Sequence, residues 1–256
     1  MKKLNFDSPK LRHCFRGALE AFCKIGREFL FPLGCPICGK NLTSYSDLHF
    51  GICADCVRVF VIDSSPRCDV CGKPLISEIG TCLKCRETRE TEEIPTRCFV
   101  IYPYIGEYKQ LIQAYKFGAH RNLKLFFADR LLQAASQMRP EFDFDECAWV
   151  PVPPRHRKIH DSGWDQIEAI AAVLEGTYKK NVVRPLKRLK SESQKKLGRS
   201  ERKTNLSGKI ICCKKPPANI ILFDDVYTTG STIQTCAAAL KEAGAQNVFA
   251  ICLCYD

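Results

Sequence analysis

Short apolar runs alternate with longer stretches of helical spacing from residue 98 to residue 256. The apolar runs predict strands, and apolar side chains spaced three and four residues apart predict helices. We expect strands at 98–102, 147–150, 182–183, 210–212, 220–223 and 248–254, and helices at 107–117, 122–138, 164–174 and 232–243. This alternation is typical of an α/β fold with a mostly parallel sheet flanked by helices. Ligands of such sheets bind beyond the carboxyl ends of the strands, so we expect the chemistry there.

The part of the chain before residue 98 lacks this alternation. Residues 10–29 predict an amphipathic helix, which we expect to dock on the rest of the protein, with a membrane surface as the alternative. The predicted domains are 1–34 with this helix, 35–86 as a Cys-rich unit, 87–97 as a polar linker and 98–256 as the α/β domain. The sequence contains neither an apolar run long enough to span a bilayer nor a secretory signal, so we expect a cytosolic protein.

Seventeen cysteines are many for 256 residues, and eight of them form four Cys-x-x-Cys pairs. Two residues between thiols let both face one ion, and four neighbouring pairs favour structural Zn²⁺ sites over free thiols. Two consecutive ribbons with four thiolates each are the simplest assembly; a cross-braced pairing, first with third and second with fourth, is the alternative. We expect the metal to fold so small a unit. The predicted zinc ligands are Cys35, Cys38, Cys53, Cys56, Cys68, Cys71, Cys82 and Cys85.

Positive charge is concentrated in one part of the chain. The formal net charge is +11, and residues 179–215 hold 14 Lys and Arg against two acidic residues. The rest of the chain is therefore close to neutral. A stretch of this kind attracts phosphates of a nucleotide-like ligand or of single-stranded DNA, and a solvated basic surface is the alternative.

An acidic pair follows the apolar run 220–223, and a turn rich in hydroxyls follows the acids. Carboxylates at a strand end can accept hydrogen bonds from the vicinal hydroxyls of a sugar or hold a divalent cation. The turn opens a predicted helix, where backbone N–H groups and the helix dipole favour a phosphate; an ordinary capping turn is the alternative. A P-loop NTPase is excluded, because its phosphate-binding loop is missing. The candidate residues are Asp224, Asp225, Thr228, Thr229, Gly230, Ser231 and Thr232.

This segment resembles the phosphoribosyl pyrophosphate (PRPP) signature of type I phosphoribosyltransferases, in which four apolar residues, two acids and an apolar residue precede a Thr- and Gly-rich turn. Four further segments are similar to the ComF/GntX family. They are Tyr-Ile-Gly-Glu at 104–107 with Lys-Phe-Gly at 116–118, Val-Pro-Val-Pro at 150–153 followed by a basic run, Ser-Gly-Trp-Asp-Gln at 162–166, and the basic segment 186–205 that begins Leu-Lys-Arg. With the Cys-rich unit, the resemblance covers nearly the whole chain. Ser162 and Asp165 stand where the family usually has Arg and Asn, which makes this loop less basic.

The resemblance implies a binding mode for PRPP. Asp224 and Asp225 would be the catalytic pair that holds the ribose hydroxyls, and the turn 228–232 would hold the 5′-phosphate. The loop 153–157, with Pro154 and Arg155, would wrap the pyrophosphate, and Mg²⁺ would bridge pyrophosphate and ribose oxygens. The implied reaction is phosphoribosyl transfer by displacement at the anomeric carbon, with the basic segment 187–203 closing over the ligand.

Two functions share these residues. The first is an enzyme that transfers or releases phosphoribosyl from PRPP. The alternative is a non-catalytic protein that senses PRPP or a nucleotide and binds single-stranded DNA through residues 179–215 and the ribbons. The family's link to natural competence and DNA uptake favours a role there, with a competence helicase as a possible partner. A glutamine-dependent amidophosphoribosyltransferase is not expected, since it needs an N-terminal glutaminase domain.

Overall fold

The computed structural model describes residues 33–89, 96–117, 120–138, 144–154, 164–189 and 210–256. The predicted N-terminal helix at 10–29 lies outside these residues. Most of the polar linker, Arg155 with the rest of the predicted pyrophosphate loop, and residues 190–209 of the basic stretch also lie outside them.

Six strands form two sheets. In chain order they are β1 (Arg97–Pro103), β2 (Ala148–Pro151), β3 (Leu186–Arg188), β4 (Ile210–Cys212), β5 (Asn219–Tyr227) and β6 (Asn247–Tyr255). The main sheet is parallel throughout, with the order β1-β6-β5-β2, while β3 and β4 pair antiparallel in a separate ribbon. The middle strands are apolar and buried on both faces, as a sheet covered by helices on both sides requires.

Seven α-helices lie in the described residues. They are α1 (Tyr45–Phe50), α2 (Ala54–Val57), α3 (Leu83–Arg89), α4 (Gly106–Lys116), α5 (Leu123–Met138), α6 (Gln166–Gly176) and α7 (Ser231–Glu242), and a 3-10 turn covers Phe144–Glu146. Helices α4, α5 and α6 pack on one face of the sheet, with Ile221 and Phe223 of β5. Helix α7 packs on the other face, with Ile220 and Leu222. This arrangement confirms the predicted α/β class and its mostly parallel sheet.

Three predicted strands differ from the observed ones. The run 182–183 forms only an isolated bridge, between Val182 and Trp149. The run 210–212 is a strand, but it pairs with β3 outside the main sheet. Strand β5 continues four residues beyond the predicted end at Phe223, because its pairing with β6 extends to Tyr227 opposite Tyr255. The acidic pair therefore lies in the last part of the strand and not after it.

The Cys-rich unit packs directly on the α/β domain. On one side, Phe60 is fully buried among aromatic rings that include Tyr102, Tyr108 and Phe126. The Tyr102 hydroxyl donates a hydrogen bond of 2.6 Å to the carbonyl oxygen of Phe60. The two parts of the chain therefore share a core. In the part of the chain that the structure describes, no helix has the length and apolar character needed to cross a membrane.

Candidate functional site

The eight paired cysteines form two groups of four thiols. Within each group the Sγ atoms all lie within 4.8 Å of one another. The first group lies within residues 35–56 and the second within residues 68–85, so the pairing is sequential and the cross-braced alternative is wrong. We call residues 33–57 the first ribbon and residues 66–89 the second ribbon. Their ligand sets are Cys35, Cys38, Cys53 and Cys56, and Cys68, Cys71, Cys82 and Cys85.

The two ribbons share one turn geometry. In the first, the N–H of Gly39 donates to the carbonyl oxygen of Cys35 at 2.9 Å, and in the second, Gly72 and Cys68 repeat this bond at 2.9 Å. Both glycines have a left-handed backbone, with φ of 75° and 69°. A glycine adopts this conformation without a steric cost, which explains its place after the second cysteine of each knuckle.

The environment of the thiols suits a metal bound by thiolates. Burial raises the pKa of Cys35 and Cys68, but hydrogen bonds from backbone N–H groups outweigh it, and the pKa of each falls to about 7. Burial raises the pKa of Cys85 to about 12. The backbone N–H groups thus favour the thiolates of Cys35 and Cys68, and a bound cation would stabilise the thiolate form of the other ligands. Four clustered cysteines with a knuckle turn fit tetrahedral Zn²⁺.

The acidic pair lies near the carboxyl end of β5, beyond the end of the edge strand β2. Strand β2 pairs with β5 from Ile220 to Phe223, so Asp224 and Asp225 lie beyond its last pair. On the other side, Asp224 is still opposite Cys252 of β6. The chain after β2 leads to Pro153 and Pro154, and the rest of the predicted pyrophosphate loop follows them. This is the edge where α/β sheets bind their ligands.

Asp225 is directed toward helices α4 and α6. Its Oδ2 accepts a hydrogen bond from Nε2 of Gln166 and lies 3.0 Å from Nζ of Lys116. The side chains of Lys116 and Asp225 are only 19% and 14% exposed. Burial raises the pKa of the nearby Cys254 thiol to about 12. The positive charge of Lys116 lowers this pKa, and the negative charge of Asp225 raises it. These contacts hold Asp225 against one face of the sheet.

Asp224 follows Ile220 and Leu222 at alternate positions of β5, so it lies on the opposite face of the sheet, the one that carries α7. Burial raises the pKa of the Cys236 thiol on α7; the charge of Asp224 raises it further, while that of Arg188 lowers it. The Oδ1 atom of Asp224 also accepts a hydrogen bond of 2.8 Å from the N–H of Asp225. The two carboxylates therefore face different surroundings although they are adjacent in the chain.

The turn after β5 is built around Gly230 and Tyr227. Gly230 has a left-handed φ of 78° and precedes the first residue of α7. A Cβ atom at this position would lie 2.6 Å from Cζ of the buried Tyr227 ring, so only glycine fits there. The hydroxyl of Thr229 accepts a hydrogen bond of 3.3 Å from the N–H of Ser231. Helix α7 begins one residue earlier than predicted, at Ser231, and residues 226–230 connect the acids to its first turn.

Asp165 has a structural role in the described residues. Its side chain caps α6, since Oδ1 accepts a hydrogen bond of 2.8 Å from the N–H of Glu168. This helix cap explains why an acidic residue stands at this position, where it does not bind an anion. Ser162 and Arg155 lie outside the described residues.

The comparisons with known proteins agree with this architecture. The family model described as "Double zinc ribbon domain" matches residues 27–99. "Competence protein ComFC" of Streptococcus pneumoniae is 26% identical over 226 residues, which cover 84% of this chain and 96% of the relative. "Competence protein ComFC" of Bacillus subtilis is 29% identical over 199 residues, or 75% and 79%. "Competence protein F" of Haemophilus influenzae is 28% identical over 234 residues, or 85% and 95%.

These similarities support the ComF family for this chain. The three relatives match it over most of its length, and the sequential cysteine groups agree with the double zinc ribbon model. In this ComF chain the predicted domain boundaries at 34, 86 and 97 remain predictions.

Part of the basic stretch of the ComF chain is already neutralised. Arg184 forms ion pairs with Glu168 at 2.6 Å and with Glu175 at 3.2 Å. Strand β3, by contrast, brings Arg188 beside the site, where its Nε donates a hydrogen bond of 3.4 Å to the carbonyl oxygen of Pro153. The hairpin of β3 and β4 thus connects the basic stretch to the end of β2.

Sequence analysis did not assign Lys116 and Gln166 to the site. They lie on separate helices and meet Asp225 only through the fold. Both residues stand in segments that resemble the ComF/GntX family, 116–118 and 162–166, and these resemblances were the available signal.

Proposed function

We propose that this ComF-family chain binds PRPP with Mg²⁺ at the carboxyl end of β5 and transfers its phosphoribosyl group. The observation that carries the proposal is the order of groups at this edge. Asp224 and Asp225 lie in the last part of a parallel strand, and after Tyr227 a turn with a left-handed Gly230 leads into α7. Carboxylates for a diol and helix N–H groups for a phosphate then lie side by side.

The turn supports phosphate binding through its backbone. Gly230 has no side chain to cap α7, so the N–H groups of its first turn after Ser231, whose own N–H donates to Thr229, suit an anion. The hydroxyls of Thr228, Thr229, Ser231 and Thr232 are further donors in the same turn.

The proposed reaction needs positioned groups and little covalent chemistry by the protein. An electron pair of the acceptor forms the bond to the anomeric carbon while the bond from this carbon to the pyrophosphate oxygen breaks. Pyrophosphate leaves with both electrons of that bond, and Mg²⁺ neutralises its charge when bound. The carboxylates hold the ribose while positive charge develops on its ring. Pro154 and Arg155 belong to the loop that we propose for the pyrophosphate.

The names of the relatives support a role in DNA uptake. Two are competence proteins ComFC and the third is competence protein F. We propose that the ComF chain acts in natural competence in the cytosol, with PRPP as its small-molecule ligand and a competence helicase as a partner.

A second function, sensing of PRPP or a nucleotide by a single-stranded-DNA-binding protein, is favoured by the position of β3. Lys187 is exposed on this strand, and the adjacent Arg188 reaches Pro153 at the edge of the proposed site. A ligand at the site would therefore lie next to the start of the basic segment, which could couple the ligand to DNA binding.

Thermal unfolding with PRPP and Mg²⁺ tests the binding site. We expect the ligand to raise the unfolding temperature of the wild type, because it binds only the folded state. The double variant Asp224→Ala with Asp225→Ala should lose this shift. Glu242→Ala is the control, since Glu242 is an exposed acid at the far end of α7, away from the proposed phosphate site, and it should keep the shift. An undiminished shift in the double variant would place the site elsewhere.

Release of pyrophosphate separates the two functions. Incubation of the wild type with PRPP, Mg²⁺ and a panel of nucleobase and amine acceptors should release pyrophosphate if the chain is a transferase. Binding of PRPP without release, together with salt-sensitive retention of single-stranded DNA, would favour the sensing function.

A further inference from the structure

The two carboxylates of the acidic pair are held differently. Asp225 Oδ2 accepts a hydrogen bond from Gln166 Nε2, and the ammonium of Lys116 lies 3.0 Å from the same oxygen. Gln166 is 1% exposed, and the Lys116 and Asp225 side chains are largely buried. Two helices that flank the same sheet face, α4 and α6, thus meet on one carboxylate oxygen.

A second contact ties the same two helices together. The hydroxyl of Tyr115, the neighbour of Lys116 on α4, donates a hydrogen bond of 2.6 Å to the carbonyl oxygen of Gln166. Gln166 is the first residue of α6, whose start is fixed by the cap from Asp165. Tyr115 therefore binds the backbone of Gln166, while the next residue of α4, Lys116, binds the Asp225 carboxylate that the Gln166 side chain also contacts. This geometry restricts where the Asp225 carboxylate can lie.

We propose that Lys116 and Gln166 are positioning residues for Asp225, and that Asp224 is the carboxylate directed at the ribose diol and Mg²⁺. The inference rests on the proposed PRPP site and divides its acidic pair into two roles. Asp224 lies two residues after Leu222 on β5 and therefore on the sheet face that carries α7, whose first turn we propose for the 5′-phosphate. Asp225 lies toward the face that carries Lys116 and Gln166.

Charge explains why Lys116 matters for an anionic ligand. An ammonium at 3.0 Å offsets the charge of a largely buried carboxylate. If Lys116 is removed, no ammonium at this position offsets the negative charge of Asp225. This carboxylate lies close to the place proposed for the pyrophosphate and the phosphate. The carboxylate would then repel the ligand, and it would also be free to move toward the Mg²⁺ that Asp224 is proposed to bind.

A double-mutant cycle on the full chain tests this role. We expect Lys116→Met and Asp225→Asn each to weaken the binding of PRPP with Mg²⁺ by about tenfold or more, measured by calorimetry. Because Lys116 acts through the Asp225 carboxylate, Lys116→Met should have little further effect once residue 225 is Asn, so the double variant should bind within about twofold of Asp225→Asn alone. Lys109→Met is the matched control: Lys109 is on the same helix, and its Nζ is 5.6 Å from the centre of the Tyr104 ring, against 5.9 Å for Lys116. This control should bind like the wild type.

Two further readouts separate positioning from a general effect on the fold. Lys116→Met should raise the Mg²⁺ concentration needed for half-maximal PRPP binding. The ligand-free Lys116→Met variant should still unfold within a few degrees of the wild type. Lys116→Arg should recover most of the affinity, because it restores the positive charge. Losses that multiply in the double variant, or an unchanged affinity in Lys116→Met, would overturn the inference.

Failure of the proposed function gives a different result. If the wild type binds no PRPP, the proposed function is wrong. A double-mutant cycle on the thermal stability of the ligand-free protein then tests the contact between Lys116 and Asp225 by itself. Coupling between Lys116→Met and Asp225→Asn would support a positioned carboxylate, and simple additivity would overturn it.

Discussion

The two ribbons have the same turn but different neighbours. A Cβ atom on Gly39 of the first ribbon would meet no atom within 4 Å. A Cβ atom on Gly72, its counterpart in the second ribbon, would overlap the carbonyl oxygen of Cys98 and lie 2.7 Å from Cα of Phe99. The second knuckle thus packs against the backbone of β1, the edge strand of the main sheet.

Other contacts strengthen this difference. The N–H of Cys98 donates a hydrogen bond of 3.0 Å to Val70, so the second ribbon satisfies part of the exposed edge of β1. The first ribbon is joined to helices through side chains: Gln110 donates to Pro36 at 2.7 Å, and Asn122 donates to Leu48 at 3.1 Å. Cysteine spacing therefore defines a metal unit, whereas the role of that unit depends on the surface that it covers. Covering an edge strand protects the whole sheet.

Loss of the metal should have the largest effect and should differ between the ribbons. Structural zinc contributes about 10–16 kcal/mol of apparent binding free energy in small domains, and folding here should depend on it. We expect zinc analysis to find two ions per chain in the wild type and one in Cys38→Ser or Cys71→Ser. Hydrogen exchange of β1 should increase more in Cys71→Ser, because only the second ribbon bonds to this strand. Equal exchange of β1 in both variants would remove the proposed difference.

Alanine at the two knuckle glycines should give the next largest effect. Gly72→Ala should lower the free energy of unfolding by more than about 3 kcal/mol, since the methyl group has no room against β1. Gly39→Ala should cost only about 1 kcal/mol, the strain of a left-handed backbone without a clash. Denaturant unfolding of both variants provides the measurement, and similar losses would show that the ribbons are equivalent.

Arg67 should give the smallest of the three effects. Its guanidinium donates to the carbonyl oxygens of Val100 at 2.7 Å and Gly72 at 2.9 Å, and it lies 4.0 Å from the centre of the Phe99 ring. Arg67→Met should reduce the free energy of unfolding by about 2 kcal/mol, because these carbonyls lose a charged donor. Arg58→Met, at an exposed position in the chain after α2, is the control and should change stability little. If Arg67→Met unfolds with the same free energy as the wild type, the packing of the second ribbon on β1 depends mainly on the knuckle at Gly72.

The metal sites were predictable because each is local. Two residues between paired cysteines and a following glycine determine the knuckle, and this information lies in consecutive residues. The sequence left the pairing between ribbons open, since spacing alone allows both arrangements. The packing of Gly72 on β1 depends on the third dimension, and nothing near Gly72 in the sequence indicates it.

The acidic site was predicted only in its continuous segment. Asp224, Asp225 and the turn around Gly230 follow one another, and the pattern of a buried strand before a hydroxyl-rich turn indicates a phosphate site. The extension of β5 was missed because pairing with β6, and not apolar character, continues the strand through the two acids. Lys116 and Gln166 were missed because they reach Asp225 from distant parts of the chain.

A crystal structure of the full chain with PRPP and Mn²⁺ tests the central claim most directly. We predict an anomalous manganese peak beside the Asp224 carboxylate, the 5′-phosphate at the first turn of α7 and the pyrophosphate beside the loop after Pro153. Asp225 should keep its contacts with Lys116 and Gln166. A ligand bound elsewhere, or manganese coordinated by Asp225 with Lys116 displaced, would contradict the account.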